Sequence, residues 1–287
     1  MDNIVAQTSA AFVADGVLKR HVSGFTLGPV GLELPRGYVM GLVGPNGAGK
    51  TTCIKCLLGL LHLDGGSIRV LGRQLDSRLG GTSRVGTVND LPPYPDDWRV
   101  SDVGNAYALV DSSWNPRTFS RLARNFDLDG RRRVKELSRG MKVKLQIAAA
   151  LSRTTELLVM DEPTSGLDPA SRAEVVDLIQ QYVLDESRSV LFSTHITADL
   201  ERVGDYVAIL LHGQVHDSGT IEDVRARYTH VQGSTPPPGT KLYGLREHAG
   251  GFEAIMESSP SLRYSDLHTE PASLDEIVAA LGRSGRN

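Results

Sequence analysis

No run in this 287-residue chain approaches the roughly 18 consecutive apolar residues that a bilayer-spanning helix needs. The opening MDNIVAQTSA has neither a basic start nor a long apolar stretch, so no secretory leader is read there. The chain is therefore expected in the cytoplasm, with any membrane association supplied by a partner. Positive charge is not in excess either: 31 Lys and Arg stand against 34 Asp and Glu, and the net charge of −3 gives no direction toward nucleic acid. Cysteine is scarce. Cys53 and Cys56 form a single C-x-x-C with no second pair, so they lack the partners of a zinc ribbon. Three residues apart on one helical face, they read as buried, inert thiols. What remains is ordinary for a globular protein: 40% apolar and 23% charged residues, in a chain long enough to bury the core of one large or two modest domains.

The order of patterns predicts an α/β fold. Residues 25–34 alternate apolar with small or polar residues before Pro35-Arg36-Gly37 turns the chain. Tyr38–Val43 reads as a short apolar strand ending at Gly44, residues 50–62 as a helix and 67–72 as another strand. Residues 98–152, with both tryptophans, carry helical spacing and few strand signals, and read as a helical insertion beginning at about residue 91. Then come a strand at 157–160, a helix from Pro169 to about Leu184, the strand SVLF, a short helix and the strand YVAILL at 206–211. Strands alternating with helices predict a mostly parallel sheet behind an N-terminal antiparallel β subdomain. Gly233-Ser234-Thr235-Pro236-Pro237-Pro238-Gly239 reads as a linker. The expected division is a main domain over 1–230, a Pro/Gly linker over 231–240 and a small α+β appendage over 241–287.

Three segments carry chemistry. Gly44-Pro45-Asn46-Gly47-Ala48-Gly49-Lys50-Thr51 fits the phosphate-loop pattern G-x-x-x-x-G-K-[ST], with a strand before it and a helix after it. Its glycines let successive N–H groups turn onto phosphate oxygens, Lys50 adds a cation, Thr51 offers a hydroxyl to Mg²⁺, and the helix start at Thr51 and Thr52 favours an anion. A bare strand-to-helix turn explains the glycines but not the Lys-Thr pair. Leu157-Leu158-Val159-Met160-Asp161-Glu162 is an apolar strand ending in two acids, which are costly there unless a cation meets them. Asp161 suits Mg²⁺, and Glu162 suits the polarising of a water; a helix cap is the competing reading. Leu137-Ser138-Arg139-Gly140-Met141 precedes a helix with Val143, Ile147 and Leu151 on one face, so Ser138 reads as its cap.

Taken together these segments resemble the ABC ATPase family over roughly residues 10–225. In that likeness Ser138-Arg139-Gly140 stands for the signature, Ser165-Gly166-Leu167-Asp168 for the D-loop and His195 for the switch histidine. Three positions depart from the pattern: Asp90 where a glutamine is usual, His21 where an aromatic ring stacks on adenine, and Arg139 in place of a signature glycine. The resemblance implies an ATPase with Mg²⁺ as cofactor, catalytic roles for Lys50, Glu162 and His195, and metal contacts from Thr51, Asp90 and Asp161. It implies nucleotide contacts from His21, from the loop Gly44 to Thr52 and from Asp168, and, across a dimer, from a partner's Ser138, Arg139 and Gly140. It implies a second ABC ATPase subunit, equal or different, and a separate multi-span membrane permease at the inner face of the plasma membrane. The segment Ser138–Lys142 and the surroundings of His195 are similar to ATPases of bacterial ABC-2-type exporters. The competing readings are a soluble ABC-type ATPase acting on ribosome or DNA, and a phosphate-loop kinase. The basic run Arg131–Lys144 reads first as a solvated face and no nucleic-acid partner is expected. For the permease, the expected docking stretch is Leu91-Pro92-Pro93-Tyr94-Pro95 with Trp98.

Overall fold

The computed structural model describes residues 10–75, 84–258 and 267–284. Its centre is a six-stranded sheet built from β3 (Val39–Val43), β6 (Val85–Val88), β7 (Leu157–Asp161), β8 (Ser189–Thr194), β9 (Tyr206–Leu211) and β10 (Gln214–Thr220), in the order β10-β9-β3-β8-β7-β6. All neighbours are parallel except the β10–β9 pair at the edge. The middle strands are buried on both faces, which is why they read as unbroken apolar runs rather than alternating ones. Alternate side chains still go to different cores. Met40, Leu42, Val159 and Leu191 join the core on one face, while Val39, Val43, Met160 and Phe192 join the core on the other.

The first core is closed by an antiparallel sheet, β2-β1-β4-β5, made of β1 (Ala10–Arg20), β2 (Thr26–Pro35), β4 (Gly65–Val70) and β5 (Arg73–Gln74), together with α1 (Lys50–Leu57). Helix α1 stops short of the expected residue 62, because Gly59 takes φ +70° and its N–H returns to the Cys56 carbonyl. Cys53 and Cys56 are buried and unbridged on this helix, and burial pushes the Cys53 thiol up to about 12.

Between β6 and β7 the chain forms the helices α2 (Val100–Val110), α3 (Pro116–Asn125) and α4 (Arg139–Leu151). They belong to the second core through Val103, Phe119, Leu145 and Ala149. The helices α5 (Pro169–Val183) and α6 (Thr197–Val203) follow β7 and β8, and a short α7 (Ile221–Ala226) follows β10.

The C-terminal region divides differently from the expectation. Strand β11 (Tyr228–Gly233) lies inside a second antiparallel sheet, β12-β13-β11-β14, with β12 (Leu242–His248), β13 (Gly251–Glu257) and β14 (His268–Pro271). The proline-rich stretch is thus a connection within that sheet, not a boundary before it. The final helix α8 (Leu274–Ser284) buries Leu274, Ile277 and Leu281 in the same core as the main sheet. It is also hydrogen-bonded to α6: Thr197 Oγ1 donates to Asp275 at 3.0 Å, and the Leu274 N–H donates to Glu201 at 3.2 Å. An amphipathic helix with an apolar face this complete is stable only when that face is covered, and here β12 of the C-terminal sheet covers it together with α6 and β9 of the main domain.

Candidate active site

The carboxyl ends of β3, β7 and β8 lie side by side, because parallel pairing sets Val43 opposite Thr194 and Asp161 opposite Ser193. The residues after these strands therefore converge at one edge of the sheet, where open α/β sheets place their ligands. They form a cleft of about 620 Å³. Its floor is the loop from Asn46 to Thr52, its inner wall is Glu162 and Asp90, and its outer wall is His21, Ser23 and Phe25.

The loop conformation depends on its glycines. Gly44 has φ +156° and a Cβ there would lie 2.1 Å from the Leu210 carbonyl oxygen; Gly49 has φ +105° and a Cβ there would lie 2.9 Å from Phe25. Gly49 caps α1, so the helix starts at Lys50 and its first amides face the cleft. Lys50 is 6% exposed, and its ammonium donates to the Gly44 carbonyl at 2.8 Å. The same nitrogen lies 3.2 Å from Glu162 Oε1. The other Glu162 oxygen lies 2.8 Å from His195 Nδ1. Glu162 has φ +50°, the left-handed region that non-glycine residues avoid. Such strain persists where the surroundings over-determine it, and here the Glu162 N–H is held by Ser193 Oγ at 2.9 Å. Ser193 Oγ in turn donates to Asp161 Oδ1 at 2.6 Å.

Two contributors were not legible as site residues in the sequence. Ser193 ties both acids but is one buried hydroxyl in an apolar strand; only its position beside Thr194-His195 marks it. Phe25 stands 5.9 Å from His21, ring to ring, so the smaller ring of His21 is backed by a larger one. His21 Nε2 is buried and has no hydrogen-bond partner among the described residues.

Other predicted residues lie outside this cleft. Ser138 caps α4, accepting the Met141 N–H, and Arg139 and Gly140 open that helix. Asp168 caps α5, and hydrogen bonds from Ser171 and then Ala170 hold its carboxyl below the usual carboxylate range. A single chain therefore brings together Lys50, Thr51, Asp90, Glu162 and His21, with Asp161 and His195 alongside. It leaves Ser138, Arg139, Gly140 and Asp168 on helix starts beside the cleft.

A strand-loop-helix turn after β3, two acids at the end of β7, and a capped helix from the intervening helical region are the parts of one family. The model for "ABC transporter" matches residues 27–165. The ATP-binding protein YxlF of Bacillus subtilis, named as an uncharacterized ABC transporter component, is 32% identical over 262 residues, spanning 87% of this chain and 85% of that protein. This chain belongs to the ABC transporter ATP-binding proteins. The Nod factor export ATP-binding protein I of Cupriavidus pinatubonensis is 28% identical over 298 residues, covering 94% of this chain and 90% of that one. A solved ATP-binding subunit of an ABC transporter superposes with a TM-score of 0.65 at 27% identity, over 75% of this ABC subunit and 92% of that chain. The ABC chain is an ATPase of the α/β ABC fold, and among its described residues no helix is long and apolar enough to cross a membrane.

Proposed function

We propose that this ABC ATPase hydrolyses Mg-ATP in the cleft above the Gly44–Thr51 loop, acts as a head-to-tail pair, and drives a separate multi-span permease that exports its cargo. The observation that carries the catalytic part is the placement of Glu162 between Lys50 and His195 at the mouth of the phosphate loop. Export follows the likeness to a relative named for export.

The loop amides and Lys50 bind the phosphates, and the ammonium already donates to carbonyl oxygens in the position a phosphate oxygen would take over. His21, backed by Phe25, offers its ring to the base. Hard oxygen donors suit Mg²⁺: the Thr51 hydroxyl in the first helical turn, and Asp161, one oxygen of which is fixed by Ser193. Asp90 lines the same cleft, on the wall it shares with Glu162. Bound there, Mg²⁺ would neutralise charge on the phosphates. Glu162 accepts the proton of the attacking water, and His195 holds the Glu162 carboxylate and reaches toward the terminal phosphate. Ser138, Arg139, Gly140 and Asp168 serve the site of the second subunit, which fits their lying outside their own cleft.

The expected docking stretch divides in two. Tyr94 sets its edge against Tyr107 at 6.5 Å, Tyr107 stacks on Trp114 at 5.0 Å, and Trp114 meets Phe119. That ring series packs the helical region together, so Tyr94 is structural. Leu91 at 76% and Trp98 at 37% exposure remain as the surface offered to the permease. Affinity capture from detergent-solubilised membranes of the source cell tests the coupling. A multi-span membrane protein is the expected companion, and recovery with ribosomes or DNA in its place would overturn the transport role.

A further inference from the structure

Two departures from the family pattern, far apart in sequence, meet in space. Asp90 replaces a neutral glutamine and Arg139 a glycine, and Arg139 Nη2 lies 2.5 Å from Asp90 Oδ1. Both side chains are about half exposed, at 45% and 49%, on the open side of the cleft. Asp90 also lines that cleft with Lys50 and Glu162. On its other side Arg139 covers Gly166: a Cβ built there would lie 3.4 Å from Arg139 Cζ and Nε. One guanidinium therefore touches both the acid after β6 and the loop between β7 and α5. A glutamine and a glycine at these two positions would form no ion pair.

We propose that Arg139 is a two-position residue: it holds Asp90 of its own chain while the subunits are apart, and transfers to the phosphates of the second subunit's nucleotide when they close. The proposal rests on the head-to-tail pairing described above. Arg139 is the first residue of α4, so its side chain leaves from the helix end that the pairing aims at the partner's nucleotide. A guanidinium fork binds a multiply charged phosphate more strongly than one exposed carboxylate. Transfer leaves the Asp90 carboxylate free to face its own nucleotide, so ATP in one site prepares the other. The pair is exposed and salt-screened, so it biases the open state rather than locking it.

The test uses the full chain carrying Glu162→Gln, which is expected to bind ATP without turning it over. Light scattering gives the ATP concentration at which half of the chain is dimeric. Asp90→Asn, which keeps an accepting oxygen but loses the charge, should lower that concentration about three- to five-fold, the size an exposed ion pair supports. Arg139→Ala should raise it, and Asp90→Asn added to Arg139→Ala should then lose the three- to five-fold lowering it gives with Arg139 present; any shift left in that background reports the contact of Asp90 with its own nucleotide. Equal shifts from Asp90→Asn with and without Arg139, or easier closure in Arg139→Ala, would overturn the two-position role. Melting curves without nucleotide check folding, and Arg139→Gln replaces Arg139→Ala on the same scale if the latter melts early. A chain that binds ATP yet never dimerises overturns the pairing and this role together; a chain that dimerises without the coupling overturns this role alone.

Discussion

Glu162 places one carboxylate oxygen 2.8 Å from His195 Nδ1, while its own backbone is held at φ +50°. The side chain is thus aimed by a strained main chain and steadied by a ring, which is what a base facing a phosphoryl group needs. Glu162→Gln keeps the shape and removes the proton acceptor. Turnover should fall by a factor on the order of 100 to 10,000 with ATP affinity retained. Steady-state hydrolysis near the wild-type rate would remove Glu162 from the role of base.

Lys50 is almost wholly buried and already serves three oxygens, those of Gly44, Pro45 and Glu162. Lys50→Ala leaves phosphate charge uncompensated in a concave site. ATP affinity measured by calorimetry should drop by roughly 10- to 100-fold, the range for a charge-assisted hydrogen bond. An unchanged affinity would contradict the phosphate cradle.

Ser193 spans Asp161 and the Glu162 amide. Ser193→Ala removes both bonds and leaves a buried amide and a buried carboxylate with one partner fewer. Stability should fall by about 1–3 kcal/mol, and the Mg²⁺ concentration for half-maximal hydrolysis should rise. A variant with the wild-type metal requirement would show that Ser193 does not orient Asp161.

Within the stretch after Asp90, two aromatic rings should behave oppositely. Tyr94→Ala should cost about 2–3 kcal/mol in urea unfolding, because a ring in a packed series leaves a cavity. Trp98→Ala should leave the melting temperature within error and weaken permease capture. The reverse pattern would move the docking surface.

Helix α8 supplies Ile277 to the main core, where it is fully buried. Ile277→Ala should destabilise the whole chain by about 2–5 kcal/mol in a single transition. Two separate transitions, with the nucleotide-binding one unshifted, would instead mark the C-terminal region as an independent accessory.

The conformation of the Gly44–Thr51 loop was legible in the sequence because its demands are local. Gly44, Gly49 and the Lys50-Thr51 pair need particular torsions and a particular spacing along one turn, and Asp161-Glu162 needs only an apolar strand before it. The central strands were legible for a related reason: burial on both faces leaves no alternation to misread. Local pattern also exposed the departures at Asp90 and Arg139, but as two unconnected oddities. Their meeting at 2.5 Å required the helical region to fold back over the sheet edge. The same holds for Ser193, whose hydroxyl matters only because parallel register sets it opposite Asp161. The prolines at 236–238 looked like a boundary, yet β11 before them pairs with β13 and β14 after them. Torsional demands are written residue by residue along the chain. Pairing of distant strands, and the covering of an apolar helix face such as that of α8, are settled by which surfaces exclude water together, and only the folded chain decides that.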